Sequence, residues 1–333
     1  MNYRHAFHAG NHTEVFKHGA LTLILEHLLQ KPAPFAVLDT HGGIGIYDLF
    51  SEEALRTNER DAGVNKVFGK KLSSAPMYLK TLEDLIAQSL GVYPGSPERV
   101  RHALREKDRL IVCELHPEDG SLLKERYRKD RRVSVHQRDG YEAVGAMLPP
   151  PEQRGLVFID PPFERKGETD QIATALQSGY RNWATGIYAI WYPIKDAILG
   201  DRIANAAVGA GFKNVLRTEF CPYRRDGVTL AGSGLAICNP PWMIDNRLQR
   251  LCQELAALLG GTRTTSALKA GDKALGAVPN NSGFWDIRKF ITKAAKGLDG
   301  ATQVPIQSSI GGALLDARDA ASKAPTSQAF STR

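Results

Sequence analysis

The segment Asp160-Pro161-Pro162-Phe163 follows directly on the apolar run Leu156-Val157-Phe158-Ile159. A short run of that kind reads as a buried strand, and two successive prolines stop it from continuing as strand or helix. The acid is thereby fixed at the carboxyl edge of a sheet, where open α/β folds bind their ligands. Proline has no N–H to donate, so the corner presents acceptors: a carboxylate and backbone carbonyls, with Phe163 offering a flat face beside them. Such a corner suits the exocyclic amine of a nucleobase, and the chemistry it fits is methylation of that amine. The nitrogen is a poor nucleophile because its lone pair is delocalised into the ring. Hydrogen bonds to the Asp160 carboxylate and the Pro161 carbonyl favour a pyramidal nitrogen, and the carboxylate can take up the proton.

Other strand ends carry polar groups of a matching kind. The run 35–38 empties into Asp39-Thr40-His41-Gly42-Gly43-Ile44-Gly45, a glycine-rich turn that lets backbone approach a ligand closely. Its spacing is not G-x-G-x-x-G, because Asp48 stands at the third glycine position, and this argues against a dinucleotide site. The run 110–113 ends at Glu114, an acid able to take both hydroxyls of a ribose. The run 133–136 ends near Asp139-Gly140, where the carboxylate can accept from an adenine amine or act as a plain helix cap. Each acid alone is better explained by structure than by function. Together they bring an acid or a glycine turn from four strands to one edge, which points to a nucleoside-containing cofactor. Asn239-Pro240-Pro241-Trp242 repeats the shape of the corner without its acid and reads as structural.

Positioning these residues requires an alternating chain. Further strand-like runs lie at 187–192, 215–220 and 235–238, and apolar spacing predicts helices over 13–29 and 77–90. Ser96-Pro97 and Pro117 open other helices, and Asp139-Gly140-Tyr141-Glu142 caps another. The alternation predicts a parallel, doubly wound α/β sheet. About seventy residues separate the first two strands, too many for one crossover, so 50–91 reads as a small helical insertion. The last two strands are joined by 221–231 alone, too short for a parallel crossover, so the last strand is expected to run antiparallel. A seven-stranded, mostly parallel sheet with its last strand antiparallel is the Rossmann-like fold of S-adenosylmethionine-dependent methyltransferases, here assigned to 1–260. The segment 261–333 reads as a divergent tail, disordered at its polar end, with helical spacing at Phe284, Ile287, Ile291, Ala294 and Leu298.

The chain has 333 residues and a net charge of +7, which favours a polyanionic partner. Its four cysteines form no C-x-x-C pair, which speaks against a structural zinc or a disulfide frame and for a cytoplasmic protein. Early histidines stand where a signal peptide needs an apolar run, and Glu26 and His27 break 20–29 far short of a membrane span. No cysteine or acid completes a ligand set with His5, His8 and His12, so no metal is expected. The basic run Arg126, Arg128, Lys129, Arg131, Arg132 reads equally as a phosphate-contacting patch or as a solvated helix end. The protein is read as a monomer.

The N-terminal Tyr3-Arg4-His5-Ala6-Phe7-His8-Ala9-Gly10-Asn11-His12 and Val15-Phe16-Lys17-His18 resemble the start of the RlmJ family, 23S ribosomal RNA (adenine-N6)-methyltransferases. Leu38-Asp39-Thr40-His41-Gly42-Gly43, Tyr93-Pro94-Gly95-Ser96-Pro97, Glu114-Leu115-His116-Pro117, the Asp160 corner, Tyr188-Ala189-Ile190-Trp191-Tyr192-Pro193 and Asn239-Pro240-Pro241-Trp242 match in order, over roughly 1–259. The resemblance implies S-adenosylmethionine touched by His18, His41, Ser96, Glu114, Asp139, Gly140 and Asp160, with 23S ribosomal RNA as partner. It further implies Asp160 as catalytic acceptor, with Tyr3, His5 and Lys17 near the substrate adenine. Phe163 stands where the family has tyrosine; stacking survives and a hydroxyl is lost. Two other readings fit the fold: a DNA adenine methyltransferase, which can share the corner, and a non-catalytic RNA-binding assembly factor. Retention of Asp160, the glycine turn and Glu114 together speaks for catalysis.

Overall fold

A computed structural model describes residues 5–89, 91–195, 198–223, 225–260, 284–292 and 305–313; in the last two stretches only the backbone is described, Ile287 apart. Helix α1 (His12–Leu29) starts at Asn11, whose side-chain oxygen accepts from the Thr13 and Glu14 N–H groups. It is buried along nearly its whole length, as a helix apolar on most sides must be. Strands β1 (Ala36–Asp39) and β2 (Ile46–Asp48) follow, then α2 (Glu52–Thr57), a 3-10 turn (Glu59–Ala62), α3 (Val64–Val67) and α4 (Pro76–Gln88). The chain continues through β3 (Val92–Pro94), α5 (Ser96–Ala103), β4 (Arg109–Cys113), α6 (Pro117–Tyr127), β5 (Val133–His136), α7 (Gly140–Ala146) and β6 (Gly155–Ile159). It closes with α8 (Glu168–Trp183), β7 (Ile187–Ile194), α9 (Ile198–Ala210), β8 (Asn214–Cys221), β9 (Gly232–Cys238), α10 (Ile244–Leu259), β10 (Phe284–Thr292) and β11 (Pro305–Ala313).

The main sheet has the order β11-β10-β8-β9-β7-β6-β1-β4-β5. Strands β5, β4, β1, β6 and β7 pair in parallel, and β9 lies antiparallel between β7 and β8. All seven strands expected from the sequence are present, and the last of them is the antiparallel one. The side chains of β1 and β6 alternate between two apolar layers: Val37 and Phe158 pack with α1 and α10 on one face, Leu38 and Val157 with α8 and α9 on the other. With both faces covered, the five residues of β6 are all buried, which is why the strand reads as an unbroken apolar run. The chain moves outward from β1 to β4 and β5 on one side and through β6 and β7 on the other. That reversal opens a crevice at the carboxyl ends of β1 and β6.

Two features differ from the sequence reading. Phe284–Thr292 is a strand, not the helix that its spacing predicts; Ala294 and Leu298 lie outside the described residues. Apolar residues at Phe284, Ile287 and Ile291 suit a helix, but Trp285, Ile287 and Ile291 also share one face of a strand. The segment is rich in aromatic and β-branched residues, and the β8 edge supplies a ladder from Phe284↔Cys221 to Ile291↔Asn214. Secondly, β2 and β3 form a separate antiparallel ribbon, three residues a side, too short to show as a periodic pattern. No helix among the described residues is long and apolar enough to cross a membrane. All four cysteines are buried and free.

Candidate active site

The carboxyl ends of β1, β4, β5 and β6 open into one cleft of about 410 Å³. His18, His41, Ser96, Glu114, Asp139, Gly140, Asp160, Lys17 and Phe163 all line it. Tyr3 lies outside the described residues, and of His5 only the backbone, the start of a 3-10 turn, is described. Glu14 and Trp191 line the cleft too, and sequence reasoning assigned neither a role. The available signal for Glu14 was its i,i+3 spacing from Lys17 on one helix face.

At the acidic corner, Lys17 Nζ lies 2.6 Å from Asp160 Oδ2, 2.5 Å from Glu14 Oε1 and 5.0 Å from the centre of the Trp191 ring. Burial pushes the Lys17 ammonium down, but Asp160 and Glu14 outweigh it and hold the group above the ordinary lysine value. Lys17, which the resemblance puts near the substrate, is seated on the corner carboxylate. Phe163 has a left-handed backbone (φ +52°), and its ring stands edge-on to Trp191 at 6.0 Å. A non-glycine residue held there stores about 1 kcal/mol or more of strain, as residues at ligand clamps often do.

On the cofactor side, Glu114 accepts from the Gly43 N–H (2.7 Å) and the His116 N–H (2.8 Å), so the carboxylate ties the glycine turn to the end of β4. Burial pushes this carboxyl above its usual range despite those two bonds. Asp139 does cap α7, with Oδ1 accepting from both the Tyr141 and Glu142 N–H groups, which is compatible with a ligand contact through Oδ2. A Cβ on Gly140 would fall 2.0 Å from the Thr40 carbonyl oxygen, so only glycine lets α7 start against the β1 turn. Burial lowers His41 to about 4, and this neutral ring stands edge-on to Tyr141 at 5.1 Å.

Beneath the corner, Asp39 is fully buried and pushed up to about 7, first by burial and then by the Asp160 charge; Ser96 and the His41 N–H oppose this. A carboxyl raised on folding favours the native state below its unfolded value and loses that advantage as pH climbs through its folded value. Asp39→Asn stays neutral. The melting temperature of Asp39→Asn relative to the parent is therefore expected to rise between about pH 4 and pH 7 and to level off above. A difference that stays flat across that interval would contradict the buried ionisation.

The remaining motifs sort by position. Because β9 runs against its neighbours, Asn239 lies at the opposite edge of the sheet, where its side-chain amide donates to the carbonyls of Ala184 and Gly186 at 2.8 Å each. The Asn239 side chain of this second Pro-Pro corner is thus engaged with backbone, away from the cleft. His8 pairs with Glu59 at 3.0 Å, and His12 is buried edge-on to Tyr223. Among the described residues no group of three or more His, Cys, Asp or Glu is placed to hold a metal ion. The segment carrying His8 is fixed from outside the sheet: Thr57 donates to the Phe7 carbonyl (2.6 Å), Asn11 to Glu59 (2.8 Å) and the Val64 N–H to the Gly10 carbonyl (2.7 Å).

The sequence model of the family described as "Ribosomal RNA large subunit methyltransferase D, RlmJ" matches residues 32–269. The chain belongs to the RlmJ family. It is 38% identical over 259 residues to Ribosomal RNA large subunit methyltransferase J of Escherichia coli (strain K12), covering 75% of this chain and 91% of that protein. It is 37% identical over 264 residues to the protein of the same name from Haemophilus influenzae, covering 78% and 94%. A Legionella pneumophila protein solved by crystallography is 34% identical, with a TM-score of 0.71 over 80% of this chain and 99% of that one. As an RlmJ family member the chain is a methyltransferase. Strands β10 and β11 lie beyond the residues that the family model matches.

Proposed function

We propose that this enzyme transfers a methyl group from S-adenosylmethionine to the exocyclic N6 amine of an adenine in 23S ribosomal RNA, with Asp160 as acceptor. The observation that carries the reading is the Asp160 carboxylate at the lip of β6, held by buried Lys17 at 2.6 Å in the cleft that Glu114 and Asp139 also line. The names of the E. coli and H. influenzae relatives support ribosomal RNA of the large subunit as the acceptor.

The donor set fits the cofactor: an acid at the end of β4 for ribose hydroxyls, an acid beside Gly140 for an adenine amine, and the glycine turn between them. When bound, S-adenosylmethionine supplies a methyl group on a sulfonium that needs no further activation. The chain's own part is to place and polarise the acceptor. Lys17 holds the Asp160 side chain in position, so the carboxylate and the Pro161 carbonyl can take the two amine hydrogens and free the nitrogen lone pair. Asp160 then receives the proton. Placement supplies much of the rate. Phe163, braced on Trp191, offers the stacking face for a base turned out of its helix.

Parallel assays of labelled methyl transfer to protein-free 23S rRNA, whole ribosomes and DNA test this reading, with digestion to nucleosides. Label in N6-methyladenosine from RNA is expected. Label confined to DNA, or cofactor binding without transfer to any of the three, would overturn it. Glu114→Gln is expected to weaken S-adenosylmethionine binding in calorimetric titration by about 10- to 100-fold, the usual worth of a hydrogen bond to a charged group. Unchanged affinity would remove Glu114 from the cofactor site.

A further inference from the structure

We propose that the basic groove behind the glycine turn is a docking site for the phosphodiester backbone of the RNA acceptor. This rests on the reading above and extends it from the reacting base to the strand that carries it. The groove has a volume of about 890 Å³ and is walled by Arg101 of α5 and by Arg126, Lys129, Arg131 and Arg132 at and beyond the end of α6. Gly42, Gly43 and Tyr47 line the catalytic cleft, whereas Ile44, Ile46 and Asp48 line the groove. A single pass of chain therefore separates the two spaces. A strand whose reacting nucleotide enters the cleft would carry its neighbouring phosphates across this turn toward the groove.

Three of the cations there are held by the fold. Arg132 is held by both oxygens of Asp130 (2.9 and 2.6 Å) and donates to the Leu104 carbonyl (2.6 Å). Arg101 pairs with Glu98 at 2.5 Å and Asp130 at 3.7 Å, and Arg126 Nε donates to the Ile44 carbonyl at 3.1 Å. Five cations face three acids, Asp48, Glu98 and Asp130, and Lys129 and Arg131 enter no ion pair among the described residues. The plain alternative is a solvated helix end. A helix dipole favours cations in the last turn, which accounts for Lys124 and Arg126. Lys129 and Arg131 lie past the last helical residue, Tyr127, where that field falls away. Exposed, unpaired and convergent on a concave surface, they suit a polyanion that runs on from the cleft.

The test measures binding of protein-free 23S rRNA by the full chain across a salt series, parent against Lys129→Glu with Arg131→Glu. The expected result is a loss of affinity of about 10-fold or more at low salt and a salt slope shallower by roughly 1–2, with S-adenosylmethionine affinity and melting temperature unchanged. If the reversed charges disturb folding, Lys129→Gln with Arg131→Gln carries the same comparison through the slope. RNA affinity and slope equal to the parent's overturn the groove while leaving the acceptor reading intact. A parent that does not bind rRNA at all overturns both.

Discussion

Asp160→Ala is expected to slow methyl transfer by about 10²–10⁴-fold under single-turnover conditions with saturating S-adenosylmethionine, the usual worth of a positioned acid or base. The side chain has two roles: an acceptor for the amine hydrogen and a sink for the proton that the alkylated nitrogen must lose. Alanine removes both. Asp160→Asn keeps an acceptor oxygen and removes the charge, so its rate is expected to lie between the parent and alanine, which separates polarisation of the amine from proton uptake. Lys17 retains Glu14 as a partner in either variant, so the fold is expected to survive. Parent-like turnover by folded Asp160→Ala would exclude the carboxylate from the reaction.

Lys17→Met is expected to carry the largest stability loss, about 3–5 kcal/mol near neutral pH by chemical denaturation. Methionine matches the volume, so the loss is electrostatic: Glu14 and Asp160 keep their charges in a buried site and lose the ammonium that answers both. The sign follows from Lys17 itself. Its folded value is raised, so the pairing contributes fully below the ordinary lysine value of 10.5 and fades only as pH rises through the higher folded value. The deficit should shrink in acid, where the partner carboxyls protonate. Adding Glu14→Gln to Lys17→Met should recover part of it, because one orphaned charge is gone. A loss under 1 kcal/mol, or no recovery in the double variant, would mean that water already screens the corner.

Strands β1, β6 and β7 were legible because burial on both faces leaves little but apolar residues in them, β5 because its edge position leaves an alternating pattern, and the prolines after β6 mark where its strand must stop. The cleft residues were legible for the same reason: a strand end is a definite place, and Glu114, Asp139 and Asp160 all stand at one. The contact between Lys17 and Asp160 spans 143 positions and leaves no local mark. Nor did the raised carboxyl of Asp39, which depends on complete enclosure by neighbours distant in the chain. Strand β10 reads as a helix because Ile287 and Ile291 satisfy both periods, and the β8 edge that decides between them lies about seventy residues upstream.

The two added strands also change what the protein shows to other molecules. Without them, the outer row of amides and carbonyls on β8, in the sequence Asn214-Val215-Leu216-Arg217-Thr218-Glu219-Phe220-Cys221, would be open for a stray chain to pair. With β10 and then β11 in place, the border of the sheet passes to Pro305-Ile306-Gln307-Ser308-Ser309-Ile310-Gly311-Gly312-Ala313. Proline withholds a donor, and glycine and serine make a poor template for a cross-β partner. Among the described residues, the hairpin thus moves the open edge of the sheet from β8 to a strand that holds one proline, two glycines and two serines.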